Sequence, residues 1–287
     1  MDPNDARYSQ MLVGLLLAAT SLNNSFRQAN KKTSIVLCLR DDIYRTLQFE
    51  DKNKLTENFM SPIEWDGPRT KWTLRSLLER RFAIAMDAGD DIVPWEKVFD
   101  EGHEMPGRQT KYKHILDRTF RRPRDAIKFA NEVLIAYKAR PGAAGLFENK
   151  DIIAARTPYS EYLLKELADE IFKHVPAYRD YIDILKSLEA LQFTREEFDQ
   201  ACARRQDLLV GGASSLSVLR QLFEFSLVGY QRTGGIGGGS EYIWRYIDTT
   251  VRLDEAATNF RIHAGLMEAL GLKKFRKGDA PLEPADV

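Results

Sequence analysis

The alternation of apolar and polar residues predicts a short amino-terminal α/β segment. Residues 8–29 have the periodicity of one long helix, which is most apolar in "MLVGLLLAATSL". Residues 35–39 form a continuous apolar run with β-branched side chains, which is typical of a strand buried on both faces. A short helix at about residues 42–47 and a second strand in "NFMSPIEW" follow. Helix, strand, helix, strand is the order of elements in an α/β layer, and two strands indicate either a small layer or one that is completed by residues outside this sequence.

From residue 70 onward the pattern predicts helices. Apolar residues recur at helical spacing in "TKWTLRSLLERRFAIAMDAG" and in "RRPRDAIKFANEVLIAYKAR", where Pro123 occupies a first helical position. Later segments repeat the amphipathic pattern, and Thr194 with Glu197 forms a capping box that defines the start of one helix. The later segments are "SEYLLKELADEIFKHV", "AYRDYIDILKSLEAL", "TREEFDQACARRQ" and "SLSVLRQLFEFSLVGY".

The last third of the chain has the order of a winged helix-turn-helix domain. We predict its three helices at residues 177–191, 194–205 and 214–227, and its wing at the glycine cluster of residues 234–239. "EYIWRYID" alternates and is aromatic, so it is predicted to be a strand, and "NFRIHAGLMEALGL" is predicted to be a short closing helix. Residues 273–287 have no apolar period and are predicted to be a flexible tail.

The glycine cluster "GGIGGG" does not have the pattern of a phosphate cradle. A P-loop requires a lysine directly after its last glycine, and no Gly-Lys pair occurs in the chain. The dinucleotide pattern G-x-G-x-x-G also fails, because Ser240 stands at its sixth position counted from Gly235. A hairpin tip is therefore the favoured interpretation.

Composition and charge exclude few classes of function. Forty-two basic residues balance 42 acidic residues, so no net charge directs the chain toward nucleic acid or membrane. Cys38 and Cys202 lie far apart and match no metal or redox spacing, which favours a reducing, cytoplasmic setting. The apolar run of residues 11–22 is too short for a bilayer, and the acidic segment before it is unlike a signal peptide. The four histidines are scattered, and no metal site is predicted.

Two clusters could contact an anion. Arg40, Asp41 and Asp42 follow the predicted strand, where ligands bind in open α/β sheets, and a solvated turn is an equal alternative. "RRPRD" places arginines at a helix start, where guanidinium groups and the helix dipole favour phosphate. The alternative there is a helix start that Asp125 balances, with its arginines in solvent.

The winged helix itself offers few groups for DNA. Its third helix presents Arg220 and Glu224 among apolar residues, and Arg232 and Arg245 flank the wing. Few phosphates would be neutralised, so packing of the third helix against another domain is favoured over DNA binding.

Together, "SIVLCLRDDIY", "FEDKNK", "IEWD…LRSLLERRF", "RRPRDAIKFANE" and "SLVGY…WRYID…FRIHAGLMEALGL" resemble the carboxyl-terminal half of bacterial P-loop ATPases of the AAA+/STAND type. The resemblance covers most of the chain. It implies that Arg40 matches the first-sensor position and that Arg124 matches the second-sensor arginine, with Arg121 beside it. Arg122 stands where that family usually has glycine. The Walker A and Walker B motifs of the family are not present in the sequence.

The resemblance implies a mainly α chain with a small α/β portion. Its expected parts are a partial ATPase core at 1–66, a helical lid at 67–140, a helical linker at 141–177 and a winged helix at 178–272. The expected function is nucleotide-state sensing and relay to a partner, in the setting of bacterial switch or defence ATPases. ATP and magnesium would bind only together with an N-terminal P-loop region or another ATPase subunit, and the chain alone would not hydrolyse ATP. The alternative is a non-enzymatic winged-helix module that docks on protein or DNA.

Overall fold

The computed structural model describes residues 6–40, 43–44, 47–67, 70–89, 91–172, 175–205, 213–234 and 239–274. The chain divides into two compact units, residues 1–63 and residues 64–287. The protein is mainly α-helical with one small antiparallel sheet, which confirms the predicted fold class. The finer domain boundaries given above stay a prediction.

The described residues of the amino-terminal unit include the helices α1 (Ala6–Gln28) and α2 (Lys52–Phe59), and residues 43–44, within the predicted short helix at 42–47, are also helical. One face of α1 covers the following segment, and Ala19 on that face is buried. The Asn23 side chain accepts a hydrogen bond from the Ile35 N–H at 2.7 Å and donates one to the Ile35 carbonyl at 2.9 Å. This pair of bonds holds the start of the 35–39 segment against the helix.

The predicted strand at residues 35–39 is wrong as a strand buried on both faces. The segment has no regular secondary structure, Val36 is 79% exposed and Cys38 is exposed. A strand requires a neighbour for its backbone groups, and no other described residue forms a ladder with this segment. The second predicted strand is also wrong, because its first residues belong to α2 and residues 60–64 are irregular.

The larger unit begins with a helical region. Its helices are α3 (Leu74–Ala85), α4 (Lys111–Leu116), α5 (Pro123–Ala139) and α6 (Asn149–Ile171). Thr73 and Thr110 cap α3 and α4 by accepting backbone N–H groups, as threonine does at many helix starts. Helices α5 and α6 pack together, with the Phe129 and Tyr159 rings 4.6 Å apart.

The carboxyl-terminal part of the same unit has the element order of a winged helix. It comprises α7 (Tyr178–Ser187), β1 (Gln192–Thr194), α8 (Arg195–Ala203), α9 (Ser215–Glu224), β2 (Val228–Arg232), β3 (Glu241–Ile243) and β4 (Asn259–Ile262). The strands form an antiparallel sheet in the order β1-β4-β2-β3. The predicted capping box is present: Glu197 N–H donates to Thr194 Oγ1 at 3.3 Å, and Thr194 N–H donates to Glu197 Oε2 at 2.8 Å.

The end of the chain differs from the prediction. "NFRIHAGLMEALGL" contains β4 and a 3₁₀ turn, Ala264–Leu266, instead of a closing helix. Phe260 and Ile262 alternate into the core, and this period of two overrides the helical spacing of the residues that follow. The predicted strand in "EYIWRYID" covers only β3, and residues 235–238 of the predicted wing tip lie outside the described residues.

Gly265 lies where the winged helix packs tightly against the helical region. A Cβ at this position would overlap the Arg118 carbonyl and lie 2.7 Å from Leu163 Cδ2. Both neighbours belong to the helical region, so only glycine lets the 3₁₀ turn pack there.

Gly265→Ala should therefore lower the free energy of unfolding of the larger unit by about 1–3 kcal/mol, through overpacking. Urea unfolding followed by tryptophan fluorescence measures this change. Gly14→Ala is the matched control, because nothing lies within 4 Å of a Cβ at Gly14 on α1. Equal unfolding midpoints for the Gly265 variant and the wild type would contradict the packing described here.

Candidate functional site

The predicted sensor residues of the amino-terminal unit are only partly described. Arg40 follows the irregular segment, is exposed, and accepts the Tyr44 N–H at its carbonyl at 3.0 Å. Asp41 and Asp42 lie outside the described residues. Their predicted contact with a nucleotide stays a prediction.

The "RRPRD" motif starts helix α5, as predicted, with Pro123 at the first helical position. Arg121 has a φ of 52°, a left-handed conformation that few arginines adopt. Its Nη1 donates to the Asp66 carbonyl at 3.0 Å. Asp66 in turn accepts the Tyr112 hydroxyl at 2.7 Å and the Leu74 N–H at 2.8 Å. The Arg121 side chain is thus tied to the residue that joins the starts of α3 and α4.

Carboxylates on α6 neutralise the other two arginines of the motif. Arg122 Nη1 contacts both Glu170 oxygens, at 2.8 and 2.9 Å. Arg124 Nη2 lies 2.8 Å from Glu166 Oε2 and 3.3 Å from Glu170 Oε1. A phosphate at this helix start would have to compete with two glutamates. The arrangement is closer to a charge-balanced helix start than to a free anion site. It differs from the predicted alternative because Arg122 and Arg124 have carboxylate partners and are not simply in solvent.

Asp125 adds a further negative group beneath the motif. Its side chain is 1% exposed, and Oδ2 accepts the Phe120 N–H at 3.4 Å. Burial raises the pKa of the Asp125 carboxyl, and the nearby Arg122 opposes that rise. The position therefore belongs to the packed base of the helix start and not to a solvated surface.

The winged-helix arginines also have carboxylate partners. Arg220 Nη2 lies 2.5 Å from Glu255 Oε1, and Arg232 pairs with Glu241 across the β2–β3 hairpin. Arg245 Nε lies 3.2 Å from Glu224 Oε2. Each pair removes one cation from the charge available to a DNA backbone.

A buried network in the larger unit was not identified from the sequence. His114 on α4 accepts hydrogen bonds from the Nε atoms of Arg118 and Arg156, each at 3.1 Å, at its Nε2. Arg118 also donates from Nη1 to Glu268 at 2.7 Å and to the Ala264 carbonyl at 3.1 Å. Arg118 and Glu268 are 150 positions apart in the sequence, so local spacing does not predict the network.

The two buried histidines are neutral for a physical reason. Burial, followed by the charges of Arg118, Arg156 and Lys274, lowers the pKa of His114 to about 2. Burial, followed by the charge of Arg261, lowers the pKa of His263 to about 3. His263 accepts the Gly265 N–H at Nδ1 at 3.2 Å and stacks on Phe120 with ring centroids 4.2 Å apart.

Neither a metal centre nor a membrane-spanning helix is found among the described residues. No group of three or more His, Cys, Asp or Glu side chains in the described ranges is placed to hold a metal ion. Among the described helices, none combines the length and apolarity that crossing a bilayer demands.

The neutral histidines predict a pH dependence of stability. The folded pKa values lie below the ordinary value of 6.5, so the unfolded chain takes up protons that the folded chain refuses as the pH falls. The free energy of unfolding should therefore decrease below about pH 6.5, by up to about 1.4 kcal/mol per pH unit for each histidine. Urea titrations between about pH 5 and pH 7.5 measure this slope.

His114→Gln should reduce that slope by about one histidine's contribution, because the variant removes one of the two buried imidazoles. A slope in His114→Gln equal to that of the wild type would show that His114 is not buried in its neutral form.

Comparison with known proteins gives one match. A family model described as a FunZ-associated C-terminal helical domain matches residues 73–168. No curated protein and no solved structure matches the chain. The match extends from the cap of α3 into α6 and contains "RRPRD" together with His114, Arg118 and Arg156. No P-loop ATPase family is shown by these comparisons. Residues 73–168 are similar to a FunZ-associated C-terminal helical domain.

Proposed function

We propose that the chain is a non-catalytic C-terminal part or subunit of a P-loop ATPase, which relays nucleotide state to a partner. ATP and magnesium would be held by a separate P-loop region, and Arg40, Arg121 and Arg124 would respond to the nucleotide. The match of residues 73–168 to a C-terminal helical domain is compatible with such a part. The ATPase itself is proposed from the sequence resemblance.

The observation that carries this proposal is an incomplete layer in residues 1–63. In the 35–39 segment the side chains of residues 35, 37 and 39 are half-buried, while Val36 and Cys38 are exposed. This period of two is that of a strand with one covered face. Within the described ranges, the backbone N–H groups of residues 36–39 donate to no other backbone group. The segment therefore has the pattern of a strand, but no described residue pairs with it as a neighbouring strand.

Helix α1 also carries an exposed apolar stripe. Met11, Leu15 and Leu22 are 54%, 51% and 46% exposed, and Ala18 between them is also exposed. Their spacing of four, three and four residues places them on one stripe of the helix. Exposed apolar stripes of this kind mark protein interaction sites. We infer that the P-loop region packs on α1 and pairs with the 35–39 segment.

The larger unit offers a route for the relay. Arg118 connects α4 to Glu268 and to the Ala264 carbonyl, and the Ala269 N–H donates to Ser160 Oγ of α6 at 2.9 Å. With Gly265 packed on the helical region, these contacts join the winged helix to α4 and α6. A displacement of the helical region would therefore carry the winged helix with it.

The second candidate function is a winged-helix module that docks on protein. The pairing of Arg220, Arg232 and Arg245 with glutamates favours protein over DNA as its target. For the same reason, we expect the partner in the proposed relay to be a protein and not a nucleic acid.

The ATPase proposal predicts a result with labelled ATP and Mg²⁺. The purified chain alone should not hydrolyse ATP, because its sequence contains no P-loop to hold the triphosphate with magnesium. Mixing with a separately expressed P-loop region from the same genome should produce a stable complex and turnover. Arg40→Ala should lower that turnover by about 10²-fold, the usual cost of removing one charge-stabilising donor. Arg27→Ala, at the last turn of α1, is the matched control.

Association has its own readout by analytical size-exclusion chromatography. Leu15→Gln should abolish the complex without unfolding the chain, since this side chain is 51% exposed. ATP hydrolysis by the chain alone, or a complex that Leu15→Gln leaves intact, would contradict the proposal.

The docking alternative predicts weak DNA binding. Fluorescence anisotropy with duplex DNA should give a shallow dependence of affinity on salt, corresponding to few neutralised phosphates. A steep salt dependence that is lost when Arg232 and Arg245 are both replaced by glutamine would show instead that the winged helix binds DNA.

A further inference from the structure

Two arginine side chains converge on one uncharged nitrogen in the larger unit. Arg118 follows α4, Arg156 lies on α6, and the Nε of each is 3.1 Å from His114 Nε2. A neutral imidazole nitrogen has a single lone pair to offer two N–H donors. His114 therefore orients both guanidinium groups without compensating the charge of either.

Neighbouring residues determine which imidazole nitrogen is the acceptor. Gln109 Nε2 donates to Asp117 Oδ2 at 3.0 Å, which leaves Gln109 Oε1 to accept from His114 Nδ1 at 3.1 Å. His114 Nδ1 thus carries the proton, and Nε2 faces the arginines as an acceptor. Gln109 contacts one nitrogen of the His114 ring and the two arginines contact the other, so the ring is held in one orientation and keeps the arginines in position.

The charges in this network do not balance. Arg118 has a carboxylate partner, Glu268, at 2.7 Å. Arg156 has none: in the part of the chain that the structure describes, no carboxylate oxygen lies within 4 Å of its guanidinium nitrogens. Burial, followed by the charge of Arg118, lowers the pKa of Arg156 to about 10. The two guanidinium groups of Arg118 and Arg156 carry two positive charges, and Glu268 supplies one negative charge. The three side chains together have an excess of one positive charge.

This imbalance separates the site from the other arginine clusters of the protein. Arg122 and Arg124 share Glu166 and Glu170, and Arg220, Arg232 and Arg245 of the winged helix each pair with a glutamate. Buried charges are normally paired, and an unpaired one is costly unless something compensates it.

We propose that Arg156 and Arg118 form a binding site for a phosphate group at the junction of the helical region and the winged helix. A phosphate presents several acceptor oxygens, which match the Nη donors of the half-buried Arg156, and Arg118, whose Nη1 already donates to Glu268 and Ala264, adds its charge to the attraction. The loop at Gly107 borders the site, because a Cβ at Gly107 would lie 3.7 Å from Lys274 Nζ, and the Lys274 charge acts on His114. Glu268 and Lys274 follow β4, so an anion here contacts both parts of the unit.

The test compares thermal unfolding of the purified full chain in inorganic phosphate and in chloride of matched ionic strength. Phosphate should raise the Tm of the wild type saturably, because it binds the folded state only. Arg156→Gln should be at least as stable as the wild type in chloride, since it removes an uncompensated charge. Its apparent affinity for phosphate should be at least tenfold weaker.

Control variants separate this site from general screening. Arg80→Gln removes an exposed arginine of α3 and should respond to phosphate as the wild type does. Arg156→Lys keeps the charge but loses the planar fork, so its phosphate affinity should be intermediate. That variant also keeps the test decisive if Arg156→Gln does not fold.

A second arm titrates ATP without magnesium into the same chain and variants. ATP binding that is tighter than phosphate binding and lost in Arg156→Gln assigns the phosphate to a nucleotide, and equal affinities assign it to a free anion. A Tm increase that is the same in phosphate and chloride, or unchanged by Arg156→Gln, would overturn the site. Because the chain is tested alone, that failure leaves the ATPase proposal untouched.

Discussion

The larger unit depends on the buried contact between Arg118 and the segment that follows β4. Arg118 is 6% exposed, and it binds His114, Glu268 and the Ala264 carbonyl at once. The helical region and the winged helix share one cluster of buried apolar residues. Their packing also requires a charged side chain to be taken out of water, and several hydrogen bonds and a carboxylate compensate that cost. Gly265 permits the approach, because a side chain at that position would displace the Arg118 carbonyl.

The distribution of arginine partners decides which surfaces are available to ligands. A guanidinium at a helix start looks like an anion site in the sequence, but Arg122 and Arg124 are occupied by α6 glutamates. Arg156 is the contrary case: it sits in mid-helix, without a motif, and lacks a carboxylate within the described structure. The position of a cation relative to its counter-ions, and not the motif around it, therefore indicates where an anion can bind.

Local chemistry explains which elements could be predicted from the sequence. The capping box at Thr194 and the first-turn Pro123 act within one turn of helix, so their residues alone specify them. The winged-helix order followed from three amphipathic helices and a glycine-rich turn. The 35–39 strand failed because a strand requires a partner, and its apolar run cannot supply one. The network of His114, Arg118 and Arg156 was invisible because packing, not spacing, brings its members together.

The missing partner of the 35–39 segment has a counterpart on helix α1. An apolar run predicted to be buried is instead half-covered on alternate side chains, beside a helix whose Met11 and Leu15 are exposed. Exposure of single apolar residues is ordinary. Here one unit of 63 residues contains both a strand-like segment and an exposed helical stripe, and no described residue pairs with the first or covers the second. The proposed P-loop region would cover both features. The edge strand of its sheet would pair with the 35–39 segment, and its helices would pack on α1. A second helix alone would cover the stripe but leave the backbone of residues 36–39 without partners. The proposed P-loop region would therefore cover both the segment and the stripe.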